Sequence, residues 1–150
     1  VFNHGSGETL ASSMGSAATD GEAWFGYYWA PTVPLGKYDM TRVELGDYNE
    51  EVFEALQNPD APDPQVSEFP DAPILTSVTG AFVESHPEIT EFFRKMTFQT
   101  DVMSELLAWQ DENTTSAEEV AVHYLMNNPD EWSAWLSDDA RENFAALLAD

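Results

Sequence analysis

The chain has 150 residues, enough for one domain with its own core. Its 28 acidic against 5 basic side chains give a formal charge of −23, which excludes nucleic acid as a partner and disfavours anionic membrane surfaces. There is no cysteine, so disulfide and thiolate chemistry are excluded, and 43% hydrophobic residues exclude disorder by composition. Such an excess of negative charge suits a saline habitat or simply an acidic secreted protein. No run approaches the ~18 apolar residues of a membrane span.

In chain order, Val1-Phe2-Asn3-His4-Gly5-Ser6-Gly7 has neither an initiator methionine nor a signal-peptide pattern. It reads as a strand end running into a glycine loop, so the chain is expected to be a fragment. Leu10, Met14 and Ala17 or Ala18 recur at helical spacing, with Ser6 or Thr9 as cap and a stop near Asp20-Gly21. The aromatic run at 23–30 is predicted to be a strand that ends at Ala30-Pro31. Strand, loop, helix and strand make one βαβ unit, which implies a parallel sheet and an α/β fold.

Residues 31–39 are expected to be a loop and 40–45 a short strand, with a short helix at 50–56. The stretch 58–73 holds five prolines and is predicted to have no secondary structure. A second strand is expected over 74–83. Helices follow at 88–96 and 101–111. Ser116-Ala117-Glu118-Glu119 is a capping box opening the next one. Asn128-Pro129-Asp130-Glu131 offers cap, proline and two acids to another, and Ser137 or Asp138 opens the last.

The candidate site centres on Trp24-Phe25-Gly26-Tyr27-Tyr28-Trp29-Ala30-Pro31-Thr32. In a strand, Tyr27 and Trp29 project to one face and Tyr28 to the other, with Trp24 on the Tyr28 face unless Gly26 bulges. Such rings are either core packing or walls of a cage that holds a cation against their negative faces. Gly5-Ser6-Gly7 ahead of a helix is either a plain turn or a carboxylate or phosphate site made of free N–H groups and the helix dipole. Of the histidines, only His4 lies beside that loop. No two histidines have zinc-ligand spacing, no nucleophile is paired with a base, and no cofactor pattern is found. Acid pairs at helix starts are explained by the helix dipole.

Taken with its flanks, the aromatic run resembles the substrate-binding proteins of glycine betaine/proline-type ABC importers. The matching pieces are Gly5-Ser6-Gly7, the Gly21-Glu22 turn, Tyr27-Tyr28-Trp29-Ala30-Pro31-Thr32 and Leu35-Gly36-Lys37-Tyr38-Asp39-Met40. His86-Pro87-Glu88 and the run from Asn128 to Leu136 add to them. The resemblance implies part of a two-lobed type II periplasmic-binding fold of roughly twice this length, with no enzymatic activity and no cofactor. It places residues 1–40 in the middle lobe, 41–73 in a return segment, and 74–150 in the other lobe. It implies that Trp29 is a cage residue for a quaternary ammonium group, with Tyr27, Tyr28 and Trp24 beside it. Thr32, His4, Gly5 and Ser6 complete the candidate ligand contacts. Some members carry a histidine shortly after Trp-x-Pro for the ligand carboxylate. Thr32 follows Pro31 here, which opens the ligand class to choline and trimethylamine N-oxide. The implied partners are a membrane permease and either the missing N-terminal half or a second copy, in the periplasm or another extracytoplasmic space. The competing expectation is an acidic helical interaction domain with Trp132 or Trp135 exposed and Trp24 and Trp29 buried.

Overall fold

A computed structural model describes residues 5–148, with side chains to residue 144. His4 and the strand end expected at Val1-Phe2 lie outside the described residues. Backbone contacts divide the chain into two units, Thr41–Ser77 and the remainder.

In the larger unit the first helix, α1 (Gly7–Asp20), is set by its ends. The Ser6 hydroxyl accepts the Thr9 N–H, and Gly21 closes the helix at φ 68°, a left-handed conformation that glycine takes without a Cβ clash. Met14 and Ala17 form its buried stripe. Within the loop expected at 31–39 lies a short helix, α2 (Val33–Lys37), with Pro34 in its first turn. It crosses α6 (Thr100–Asn113) at a very close approach. A Cβ on Gly36 would lie 2.1 Å from the Ser104 carbonyl oxygen and 2.8 Å from the Ala108 Cβ. The Thr32 N–H donates to Ser104 Oγ (3.2 Å), and Lys37 pairs with Asp111 across the same contact.

The rest of this unit is helical: α4 (Gly80–Ser85), α5 (Pro87–Lys95), α7 (Ala117–Asn127), α8 (Pro129–Trp135) and α9 (Asp138–Leu148). The capping box at α7 forms as expected, with Ser116 and Glu119 each bonding the other's backbone. At α8 the Asn128 side chain does not cap forward. Its Nδ2 donates back to the Tyr124 carbonyl, closing α7 instead. Aromatic rings cluster here around the buried Tyr124 and Trp132. Phe98, Tyr124 and Trp135 lie 5.1–6.1 Å apart by ring centroid, and Trp132, 5% exposed, donates its indole N–H to the Leu125 carbonyl. Burial, together with a hydrogen bond to Glu131, raises the pKa of the Tyr124 hydroxyl.

The smaller unit carries α3 (Glu50–Leu56), capped by Asn49 Oδ1 on the Val52 N–H. Tyr48, Phe53 and Phe69 pack edge to face, and buried Ser67 accepts the Asn49 N–H. Glu68 accepts the Phe69 N–H and pairs with Arg42, and both hold its carboxyl below the usual glutamate range.

The strands expected at 23–30, 40–45 and 74–83 do not form. Among the described residues there is no strand or bridge, so the parallel βαβ unit is absent. Residues 22–30 and 41–45 have no regular structure. The segment predicted as strand 74–83 is irregular to Thr79 and then helical, because the Thr79 hydroxyl caps the Phe82 N–H and opens α4. A strand needs a ladder partner for its N–H and C=O groups, and no described segment supplies one. The helices carry their hydrogen bonds internally and form regardless.

Candidate functional site

The site is built on α1. Its first and third turns bear glycines at positions 7 and 15, and each accommodates an aromatic ring. A Cβ on Gly7 would lie 2.8 Å from Trp29 Cη2, and one on Gly15 would lie 2.8 Å from the Tyr38 hydroxyl. The Tyr-Tyr-Trp and Gly-Lys-Tyr-Asp segments, separate in sequence, are thus both seated on one helix. Trp24 joins them: its indole N–H donates to Ser13 Oγ on α1 (3.0 Å), and the ring covers Gly26.

The rings do not alternate as in a pleated strand. Tyr28 stacks on Trp29 (centroids 4.6 Å, planes 26° apart), and Tyr27 lies 6.2 Å from Trp29 by centroid. All three therefore share one patch, in place of the expected split between two faces. Without a ladder, nothing imposes the two-residue alternation. Trp29 remains 47% exposed and Tyr27 54%, while Tyr28 and Trp24 are half-buried.

The glycine loop is a capped helix start. Ser6 Oγ accepts the Thr9 N–H and donates to Glu8 Oε2 (3.3 Å), so part of the first turn's donor capacity is already used. No neighbour would meet a Cβ on Gly5. Thr32 donates its N–H to Ser104, while its hydroxyl is buried without a hydrogen-bond partner. The other tryptophans are occupied by packing: Trp109 stacks on His123 at 4.0 Å, and Trp135 sits in the Phe92, Phe98 and Tyr124 cluster. Gly7, Gly15, Ser13 and Tyr38 were not anticipated as site-building residues. Two glycines eight apart on one helix were the available signal, since that spacing leaves them about 80° apart, within the width of one helix face.

No described helix is long and apolar enough to cross a membrane. No curated protein matches the chain. Residues 1–127 match the family model for the substrate-binding domain of the ABC-type glycine betaine transport system, a span that includes α1, both aromatic segments and α7. The family is a solute-binding one, not enzymatic. Its members are extracytoplasmic, have the type II periplasmic-binding fold, and deliver small ligands to ABC permeases. With 127 of its 150 residues so matched, the chain belongs to the family of substrate-binding domains of ABC-type glycine betaine transport systems.

Proposed function

We propose that the chain captures a methylated ammonium solute (glycine betaine, choline or trimethylamine N-oxide) for an importer, in the periplasm or an equivalent space, and that Trp29 is one wall of its cation cage. The observation that carries this reading is a large ring held in place yet open. Tyr28 backs the Trp29 indole and Gly7 seats it, but 47% of the residue remains exposed. A fixed, half-exposed indole offers its negative face to a cation that makes no hydrogen bonds. Tyr27 and Tyr28 flank that face, and Trp24, tied to Ser13, braces the segment. Gly5, Ser6, Thr32 and His4 belong to the same proposed group of contacts.

One ring contributes about 0.5–2 kcal/mol, so tight capture needs further walls. We assign these to another segment of the same protein or to a second copy, which would also pair residues 22–30 into the family's parallel sheet. The interaction-domain alternative expects Trp132 or Trp135 exposed and Trp24 and Trp29 buried, whereas Trp132 is 5% exposed, Trp135 and Trp24 are half-buried and Trp29 is 47% exposed.

Calorimetry with the three ligands, on the wild type and Trp29→Ala, tests the reading. The substitution should weaken binding by roughly 2- to 30-fold, the equivalent of one ring. Unchanged affinity in Trp29→Ala refutes it.

A further inference from the structure

We infer that Glu8 sets the preference of the aromatic site, favouring a methylated ammonium without a carboxylate, of the choline type, over glycine betaine. The inference rests on Trp29 being the ligand ring, as proposed above. The benzo end of that indole lies against Gly7, the first residue of α1, and Glu8 is the next residue. Glu8 is exposed, and the Ser6 hydroxyl donates to its Oε2 at 3.3 Å, which turns the carboxylate back over the helix start. A carboxylate there compensates the positive end of the helix dipole, the feature that would otherwise attract a ligand anion. The Thr9 N–H is also taken, by Ser6 Oγ.

Among the described residues no cationic side chain forms an ion pair with Glu8. The sequence has no lysine or arginine between residues 5 and 36, and Lys37 is bonded to Asp111 on α6. Thr32, which follows Pro31, offers no hydroxyl to a ligand carboxylate either, since that hydroxyl is buried. A ligand carboxylate brought to this ring therefore meets like charge, and a quaternary ammonium meets attraction. Choline has only the second interaction, whereas glycine betaine has both. Because Glu8 is exposed, its effect on the choline-to-betaine affinity ratio is modest, about two- to fivefold.

The test titrates choline and glycine betaine, to millimolar concentrations, into the chain while following the Trp29 indole N–H resonance, assigned with Trp29→Phe. The wild type should bind choline more tightly. Glu8→Gln should lower the ratio by about two- to fivefold, Glu8→Asp should keep most of it, and molar NaCl should shrink it by screening. Tighter betaine binding in the wild type, or an unchanged ratio in Glu8→Gln, overturns the role of Glu8 while leaving the Trp29 cage standing. A resonance that neither ligand moves overturns the cage, and the role of Glu8 with it.

Discussion

Substituting Gly36 by alanine should reverse the usual sign of such a change. In an open helical position alanine gains about 0.4–1 kcal/mol over glycine, chiefly by restricting the unfolded chain. At Gly36 the added Cβ would stand 2.1 Å from the Ser104 carbonyl oxygen and 2.6 Å from its carbon. Carbon and carbonyl oxygen approach no closer than ~3.3 Å even in favourable contacts, so α2 must move off α6 by roughly 1.2 Å. The obstacle is helix backbone, which cannot swing aside as a side chain does. Overpacking of this kind costs about 1–3 kcal/mol. The shift also stretches the Thr32 N–H···Ser104 bond, worth about 0.5–1.5 kcal/mol. Against the alanine gain, the net loss is about 2 kcal/mol, or roughly 4–8 °C in Tm for a chain of this size. Thermal and urea unfolding followed by circular dichroism measure it. Gly80→Ala is the control, since no atom lies within 4 Å of its added Cβ, and it should be neutral or stabilising. A Gly36→Ala protein as stable as the wild type would refute the close crossing of α2 and α6. Because Pro31 and Thr32 lead directly into α2, the same variant should also disturb the seat of Trp29.

Two solution dependences follow from the charges. Between 0.1 and 1 M NaCl, Tm should rise, because salt screens the self-repulsion of 28 acids against 5 bases; a flat or falling profile would count against that repulsion as a destabilising force. Glu68, held below its ordinary value of 4.5 by the Phe69 N–H and Arg42, stabilises the Thr41–Ser77 unit fully above that value, and the contribution is lost as pH falls through the folded one. Arg42→Ala should therefore destabilise slightly at neutral pH and not at all in strong acid; an equal effect at both would show that the ion pair is not the cause.

The helices and their ends were legible because their determinants are local. Ser6 with Gly21, Asn49, and Ser116 with Glu119 cap within four residues of the groups they satisfy, and these boundaries match the sequence expectations closely. Asn128 stands at the N-cap position of α8 with Pro129 next, as expected, but its side-chain amide donates back to the Tyr124 carbonyl and makes no bond to the first turn of α8. The short helix at Val33–Lys37 was hidden among prolines and a glycine that more often mark a loop. The strands failed for the opposite reason. Aromatic and β-branched runs at 22–30 and 74–79 state a preference for extended pairing, but pairing needs a partner, and none is present among the described residues.

The sequence by itself determined most of the helical segments, the absence of cysteine chemistry and the acidic composition, and it singled out the Tyr-Tyr-Trp-x-Pro motif that carries the family resemblance. Only the tertiary structure decided what that motif rests on. Gly7 and Gly15 make α1 a seat for Trp29 and Tyr38, Ser13 anchors Trp24, and Tyr28 stacks on Trp29 rather than facing away. It also decided which tryptophans are open and which are packed. Composition fixes which rings a chain carries, whereas exposure depends on contacts between residues far apart in sequence, and those exist only once the helices have packed.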